Sequence, residues 1–140
     1  MNRDILFRAK LKDDYFNEGW QYGLVYCTWF SGSIFKYWLT PIKKENLTAF
    51  DTVCVDPETI CEYTGLTDKN GTKIFEGDII KCEWGFLSNG SYHHYEDFIV
   101  EFKDSAYYIV PIKKHKNIWT VYLNPESEYE VVGNIYDTNI

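Results

Sequence analysis

The sequence predicts a mainly β fold with short helices, of the all-β or α+β class. Aromatic residues make up 19% of the chain, and Ala occurs only three times in 140 residues. Aromatic and β-branched side chains favour strands, and a lack of Ala disfavours long helices. Turn signals also recur about every ten residues, a spacing typical of short strands in a barrel or sandwich.

The predicted domain spans residues 1–140 and divides softly into two lobes. Residues 1–66 form an N-terminal β lobe. Residues 67–140 form a C-terminal lobe whose strand count suggests a small SH3-like barrel. A chain of this length can bury one sizeable core, and it contains no linker, repeat or low-complexity segment that would separate two domains.

Alternation of apolar and polar residues places the strands of the N-terminal lobe. A long strand is predicted over 20–30, and successive side chains of a strand point to opposite sides of the sheet. One face of it therefore holds Trp20, Tyr22, Leu24, Tyr26 and Thr28. The other predictions here are a strand over 5–10, a turn over 12–19, a hairpin turn over 31–33, a return strand over 34–39, a polar segment over 41–49 and a short strand over 53–55.

A capped helix is predicted near the middle of the chain. Asp56 suits an N-cap because its carboxylate can accept a hydrogen bond from a free N–H of the first turn. Pro57 follows at the first helical position, where its missing N–H costs nothing. Gly65 can take the positive φ that ends a helix. We therefore expect a helix of about two turns, from Pro57 to Tyr63.

A tight turn and a bent strand follow this helix. Asn70 and Gly71 tolerate positive φ, and the apolar residues on either side predict a hairpin. The chain returns as a strand over 73–80, in which Gly77, just before Asp78, predicts a bulge or a bend. The later predictions are a strand over 79–86, a loop over 87–92, strands over 98–102 and 106–112, a short strand over 119–123, a helical turn opening at Asn124 and a closing strand over 131–136.

The net charge of −7 is concentrated in the middle of the chain. Residues 51–100 hold three Lys/Arg and ten Asp/Glu, a balance of −7 that equals the balance of the whole chain. Nucleic-acid binding needs clustered cations, so this composition argues against it. The acidity either keeps an aromatic-rich chain in solution or forms a negative face that docks on a basic protein. Because the aromatic residues lack interleaved Lys or Arg along the chain, we expect them in the core rather than stacked on bases.

Cysteine spacing and terminal sequence favour a reducing compartment. The four cysteines are Cys27, Cys54, Cys61 and Cys82. They contain no C-x-x-C pair, so neither a zinc ribbon nor a redox motif is predicted. The first residues show no signal-peptide pattern, and the chain contains no run of about eighteen apolar residues that would span a membrane. We expect a cytoplasmic protein whose thiols stay reduced.

Two groups of residues resemble metal ligands. His93 and His94 are adjacent, so on a strand they point to opposite faces and can share one ion only in a loop. Cys54 and Cys61 lie near two carboxylates in sequence, but buried free cysteines are the commoner explanation of such a pattern. We therefore predict no metal site, and we leave the roles of these four residues open.

One pair of carboxylates resembles an acid–base site. Glu76 and Asp78 fall on the same strand face, where two carboxylates could share a proton. A role in the turn and in strand pairing is the simpler interpretation. The sequence also contains no phosphate-binding glycine loop and no nucleophile elbow. We predict no catalytic or cofactor-binding residues, and we do not expect an enzyme.

The central tract resembles the YopX family of phage and prophage proteins. The resemblance is carried by residues 55–60, 63–71 and 74–80, which read VDPETI, YTGLTDKNG and IFEGDII. The first ten residues and residues 131–137, VVGNIYD, are similar to the family's usual start and end. The resemblance implies a small, mainly β, YopX-like protein from a phage or prophage of a low-GC Gram-positive host. It supplies no catalytic residues.

Two functions are compatible with these residues and with the resemblance. The first is a non-catalytic accessory factor that binds a host or phage protein through an acidic or aromatic surface. The second is a nucleic-acid-associated module that uses the small β-barrel. A basic groove would favour the second, and a continuous acidic or aromatic patch would favour the first. For both functions we expect no cofactor, no membrane contact and a location in the cytoplasm of the host cell. Self-association of the chain is left open.

Overall fold

The computed structural model of the protein is built mainly from antiparallel strands, which confirms the predicted mainly β class. It describes residues 4–30, 32, 34–42, 45–83, 95–114 and 118–137. Strands take up 56% of these residues. The strands in this part of the chain are β1 (Phe7–Lys10), β2 (Trp20–Phe30), β3 (Ile34–Thr40), β4 (Val53–Val55), β5 (Cys61–Thr67), β6 (Lys73–Phe75), β7 (Asp78–Glu83), β8 (Tyr95–Lys103), β9 (Ala106–Pro111), β10 (Val121–Tyr122) and β11 (Tyr129–Asn134).

The chain folds into two compact units, Met1–Tyr63 and Thr64–Ile140. The division falls inside β5, slightly before the lobe boundary that the sequence placed after residue 66. The predicted loop over 87–92 lies outside the described residues, as do His93 and His94. Within the described ranges, no helix is long and apolar enough to cross a membrane.

The first unit is an antiparallel sheet around a small core. Its strand order is β4-β3-β2-β1-β5, and β5 continues past the division to lie beside β6. An isolated bridge between Leu11 and Val55 brings the chain after β1 against β4. The fully buried core consists of Ala9, Leu39 and Val55, and partly buried apolar side chains such as Val25 pack against it. Along β2 and β3, Val25 and Leu39 alternate with side chains that point outward.

The second unit is a five-stranded antiparallel sheet with the order β10-β9-β8-β7-β11. One of its faces carries the larger core, which consists of Ile74, Ile80, Cys82, Phe98, Val100, Ile109, Ile118 and Tyr129. In the part of the chain that the structure describes, neither sheet is closed, so the predicted SH3-like barrel is not confirmed.

The predicted two-turn helix is wrong in type and length. Asp56 does act as an N-cap and accepts the N–H of Glu58 at 3.0 Å, but the helix is a single 3-10 turn, Pro57–Thr59. The Thr59 hydroxyl donates to the Asp56 carbonyl at 2.7 Å and accepts the N–H of Lys10 at 2.9 Å. These bonds tie the turn to β1, and the chain enters β5 at Cys61 instead of continuing as a helix.

Gly65 has the predicted positive φ, 89°, but it lies within β5 and ends no helix. The β-branched and aromatic residues of this segment pair with the N-terminal strand: Tyr63 donates its N–H to the Leu6 carbonyl at 2.8 Å. Pairing of this kind outweighs the weak helix propensity of a short segment.

Candidate functional site

The predicted central turn is held by a residue that the sequence analysis did not select. Asn70 and Gly71 form the turn, with φ of 82° at Gly71. Its organiser is Asp68, whose Oδ1 accepts the N–H groups of Asn70 at 2.8 Å and Thr72 at 2.9 Å. The other oxygen, Oδ2, accepts the N–H of Val131 at 3.0 Å. Asp68 therefore fastens the turn to β11.

The electrostatics of Asp68 follow from these bonds. Burial alone would raise the pKa of this carboxyl, but three backbone N–H donors and the nearby Lys69 charge lower it overall. Hydrogen bonds to the ionised form favour that form. The residue thus serves as a buried structural anion. An aspartate followed by a short Asn-Gly turn is the sequence signal that would have identified it.

Glu76 and Asp78 do not lie on one strand face, the arrangement that an acid–base pair would need. Glu76 and Gly77 form the turn between β6 and β7, where Gly77 has φ of 84°, as its predicted bend requires. Asp78 is only 1% exposed, and its Oδ2 accepts the N–H of Phe75 at 2.8 Å. Its carboxylate is engaged in the turn, and the two residues do not share a strand face on which they could act together.

The four cysteines of the chain differ in their exposure to solvent. All four are free: Cys27 is exposed, Cys54 is half-buried, and Cys61 and Cys82 are buried. Burial, and then the charge of Asp97, raises the pKa of the Cys82 thiol to about 11. A cavity of about 780 Å³ beside β10 includes Cys82 in its lining. At neutral pH this thiol is protonated, so it provides no nucleophile there.

No metal cluster is evident in the described ranges. Among those residues, no group of three or more His, Cys, Asp and Glu side chains could hold an ion.

The most distinctive surface of the protein is the outer face of β2 and β3. Tyr22, Leu24 and Tyr26 follow one another on β2 and are exposed by 49%, 46% and 49%. Trp20 and Trp38 lie on the same face and are half-buried. We call these five residues the aromatic face. Contiguous exposed apolar patches of this kind mark interaction sites more often than single exposed residues do.

Local structure holds the aromatic face in place. The Trp38 indole N–H donates to the Thr28 hydroxyl across the strands at 2.8 Å, which fixes the ring. At Gly23 the backbones of β2 and β3 approach so closely that a Cβ would overlap the Thr40 carbonyl oxygen. A glycine within a strand pattern is the sequence signal for such an approach.

Cations accompany these aromatics, contrary to the sequence prediction. The guanidinium carbon of Arg8 lies 4.5 Å from the centre of the Trp20 ring, and Lys10 Nζ lies 5.2 Å from it. Both distances suit cation–π interactions. The register pairs Arg8 with Tyr22, Lys10 with Trp20, and Lys36 with Thr28. Strand pairing therefore interleaves cations that are far away along the chain.

Several acidic residues of the middle region are buried. Asp68, Asp78 and Glu96 are buried, and the first two bind backbone N–H groups. The remaining carboxylates of residues 51–100 are divided between the two units. The charge balance of this segment is therefore partly an internal structural feature.

The fold and its surfaces define a small antiparallel β protein of two units with an exposed aromatic sheet face. The family profile described as YopX protein matches residues 7–139, nearly the whole chain. The protein therefore belongs to the YopX protein family, which confirms the family inferred from its central tract. A comparison with curated proteins gives no match.

Proposed function

We propose that the protein is a non-catalytic accessory factor that binds a host or phage protein through the aromatic face. The observation that carries this proposal is the row of Tyr22, Leu24 and Tyr26, each about half exposed on adjacent positions of one sheet face. Tyr and Trp are enriched at protein interfaces because one side chain offers both apolar area and a polar group. The expected location is the cytoplasm of a bacterial cell.

The aromatic face supports this role better than an acidic face does. Its side chains stand on a sheet with fixed strand register, and a rigid surface loses little conformational entropy on binding. Tyr in particular supplies contact area with few rotatable bonds. By contrast, three acidic residues of the middle region, Asp68, Asp78 and Glu96, are buried and offer no contact area to a partner.

The proposal can be tested by affinity capture from a lysate of a low-GC Gram-positive bacterium. We expect a protein that the wild type and the control variant Tyr15→Ser retain and that the double variant Tyr22→Ser/Tyr26→Ser loses. Tyr15 is a suitable control because it is a tyrosine exposed by 86% in a loop. The captured protein is then purified and titrated by calorimetry, with at least a tenfold weaker Kd expected for the double variant. Equal capture by all three forms would contradict the proposal.

A nucleic-acid-associated module remains the second candidate, and one observation favours it. Lys36 lies on β3, which carries part of the aromatic face, and Lys10 lies on the neighbouring β1. Single-stranded nucleic acids bind to aromatic platforms flanked by cations. The net charge of −7 opposes such binding. Nuclease treatment of the lysate and titration of labelled single-stranded DNA at low salt separate the two functions. Capture that is lost after nuclease, together with tight DNA binding, would favour the second.

A further inference from the structure

The cavity beside β10 in the second unit has the size of a small-molecule site. Its volume is about 780 Å³, and sites for small organic ligands usually measure about 300–1,000 Å³. Its described walls come from the end of β7, from β9 and β10, and from the segment that leads into β11. The aromatic face belongs to the first unit, so this cavity is a separate feature of the protein.

The inner wall of the cavity is apolar. Ile109 is 2% exposed and belongs to the core of the second unit, and Val121 and Leu123 pack against that core. All three side chains line the cavity. Because burial of apolar surface is favourable, this wall favours a ligand with an apolar body.

Tyr129 contributes a hydrogen-bond donor to the cavity wall. This residue is 3% exposed, and its hydroxyl oxygen accepts the N–H of Asn124, another lining residue, at 2.9 Å. A tyrosine hydroxyl can also donate its own hydrogen, and no acceptor for that hydrogen lies among the residues that the structure describes. The protonated Cys82 thiol lines the same cavity and adds a second, weak donor. Buried donors normally have an acceptor, so these groups favour a ligand that supplies one.

Carboxylates lie at the rim of the cavity. Glu83 and Glu128 are exposed and line it, and its described lining contains no Lys or Arg. Lys69 and Lys81 line a smaller cavity of about 290 Å³ that shares these two glutamates. Lys69 forms its ion pair with Glu130, at 3.3 Å, and Glu128 forms no ion pair in the described part of the chain. The rim therefore favours a cation.

We propose that this cavity binds a small organic amine that carries a hydrogen-bond acceptor at the end opposite to its ammonium group. The acceptor receives the hydrogen of the Tyr129 hydroxyl. The apolar body of the ligand packs against Ile109, Val121 and Leu123, and the ammonium group lies beside Glu128 at the rim. The site goes beyond the proposed function, which would stand unchanged if this site failed its test.

Three related probes separate the two polar contributions. Tyramine carries both an ammonium group and a phenol hydroxyl, tyrosol replaces the ammonium group by a neutral hydroxyl, and phenethylamine lacks the phenol hydroxyl. Each is titrated into isotope-labelled protein and followed through the backbone amide resonances. We expect tyramine to bind with a Kd of about 1 mM, a usual value for so small a ligand. The amides of residues 121–129 should shift, and Asn124 should respond strongly because its N–H donates to the Tyr129 hydroxyl.

Paired variants assign the ammonium contribution to the rim. The wild type should bind tyramine about threefold more tightly than tyrosol, the size expected of an exposed ion pair. This preference should be lost in Glu83→Gln/Glu128→Gln. It should remain in Glu101→Gln/Glu126→Gln, a control that removes the same charge from two exposed glutamates of the second unit outside the cavity lining.

Tyr129→Phe tests the acceptor contribution. The wild type should prefer tyramine to phenethylamine about fivefold, the value of one hydrogen bond, and Tyr129→Phe should bind the two equally. Circular dichroism verifies that each variant is folded, and the glutamate comparison decides the question if Tyr129→Phe is not. The proposal would be overturned by equal binding of tyramine and tyrosol to the wild type, or by a preference that survives in Glu83→Gln/Glu128→Gln. It would equally be overturned if no probe shifted the amides of residues 121–129 at concentrations up to about 10 mM.

Discussion

Replacing Asp68 by Asn should destabilise the second unit by about 2–4 kcal/mol. In the wild type, the two carboxylate oxygens accept three backbone N–H groups, two from the turn and one from Val131 in β11. Asn has the same shape but only one acceptor oxygen. If that oxygen accepts the N–H groups of Asn70 and Thr72, the amide NH₂ faces the N–H of Val131. Two donors then face each other without an acceptor.

The magnitude follows from the kind of bonds that are lost. A hydrogen bond to a charged group contributes about 1.5–3 kcal/mol, and a buried donor left without an acceptor costs about 1–3 kcal/mol. The neighbouring ion pair between Lys69 and Glu130, 3.3 Å long, has side chains exposed by 49% and 41%. Exposed pairs of this type contribute only about 0–1 kcal/mol. Asp68 therefore contributes more to the attachment of the turn to β11 than this ion pair does.

Urea unfolding followed by circular dichroism measures this loss. With a slope of about 2 kcal/mol per molar urea, the middle of the usual range, we expect the midpoint of Asp68→Asn to fall by about 1–2 M. The Val131 amide should also exchange its hydrogen faster. Asp104→Asn is the matched control, because Asp104 is an exposed aspartate of the same unit. An unchanged midpoint in Asp68→Asn would refute the assigned role.

The lowered pKa of Asp68 makes the same contribution pH-dependent. A group whose pKa is lower in the folded state stabilises the protein fully above its unfolded pKa, about 3.9 for Asp. This stability is lost as the pH falls from there through the folded pKa. The wild type should therefore lose more stability than Asp68→Asn below about pH 4. If the free energy of unfolding fell equally with pH in the two proteins, Asp68 would not be the source of the acid-dependent loss of stability.

Three further changes test other parts of the structure. Gly23→Ala should cost about 1–3 kcal/mol, because its Cβ would overlap the Thr40 carbonyl and the backbone must shift; an unchanged unfolding midpoint would contradict this close approach. Asp56→Ala should cost about 1 kcal/mol through loss of the N-cap, again measured by urea unfolding. Iodoacetamide at pH 8 should label Cys27 within minutes and leave Cys82 unlabelled until urea unfolds the protein, because Cys82 is buried and its pKa is about 11; mass spectrometry of peptides reports both rates.

Local sequence patterns predicted most of the strands. Local patterns placed β2 and β4 at their observed bounds, the positive φ expected at Gly71 is present, and Gly77 lies in a turn, in agreement with its predicted bend. These features depend on residues within a few positions of one another. The predicted helix after Asp56 was wrong because the conformation of this segment depends on Lys10, a residue far away in sequence. The Lys10 N–H donates to the Thr59 hydroxyl and so ties the segment to β1. Tertiary pairing of this kind overrides local propensity.

The candidate site was harder to predict because it depends on strand register. The sequence placed Tyr22, Leu24 and Tyr26 on one face but did not show that this face points away from the core. Likewise, the approach of Arg8 and Lys10 to Trp20 arises from pairing between β1 and β2. No pattern along the chain contains this information.

The two units differ in the size of their cores. Among the residues that the structure describes, the core of the first unit contains three fully buried residues, whereas the core of the second unit contains eight buried residues. A sheet with so small a core has one face that is only partly covered, and here the outer face is aromatic as well. Any partner that binds the folded first unit stabilises it by mass action. Under the proposed function, a partner that covers the exposed aromatic residues of β2 would therefore also raise the stability of the first unit.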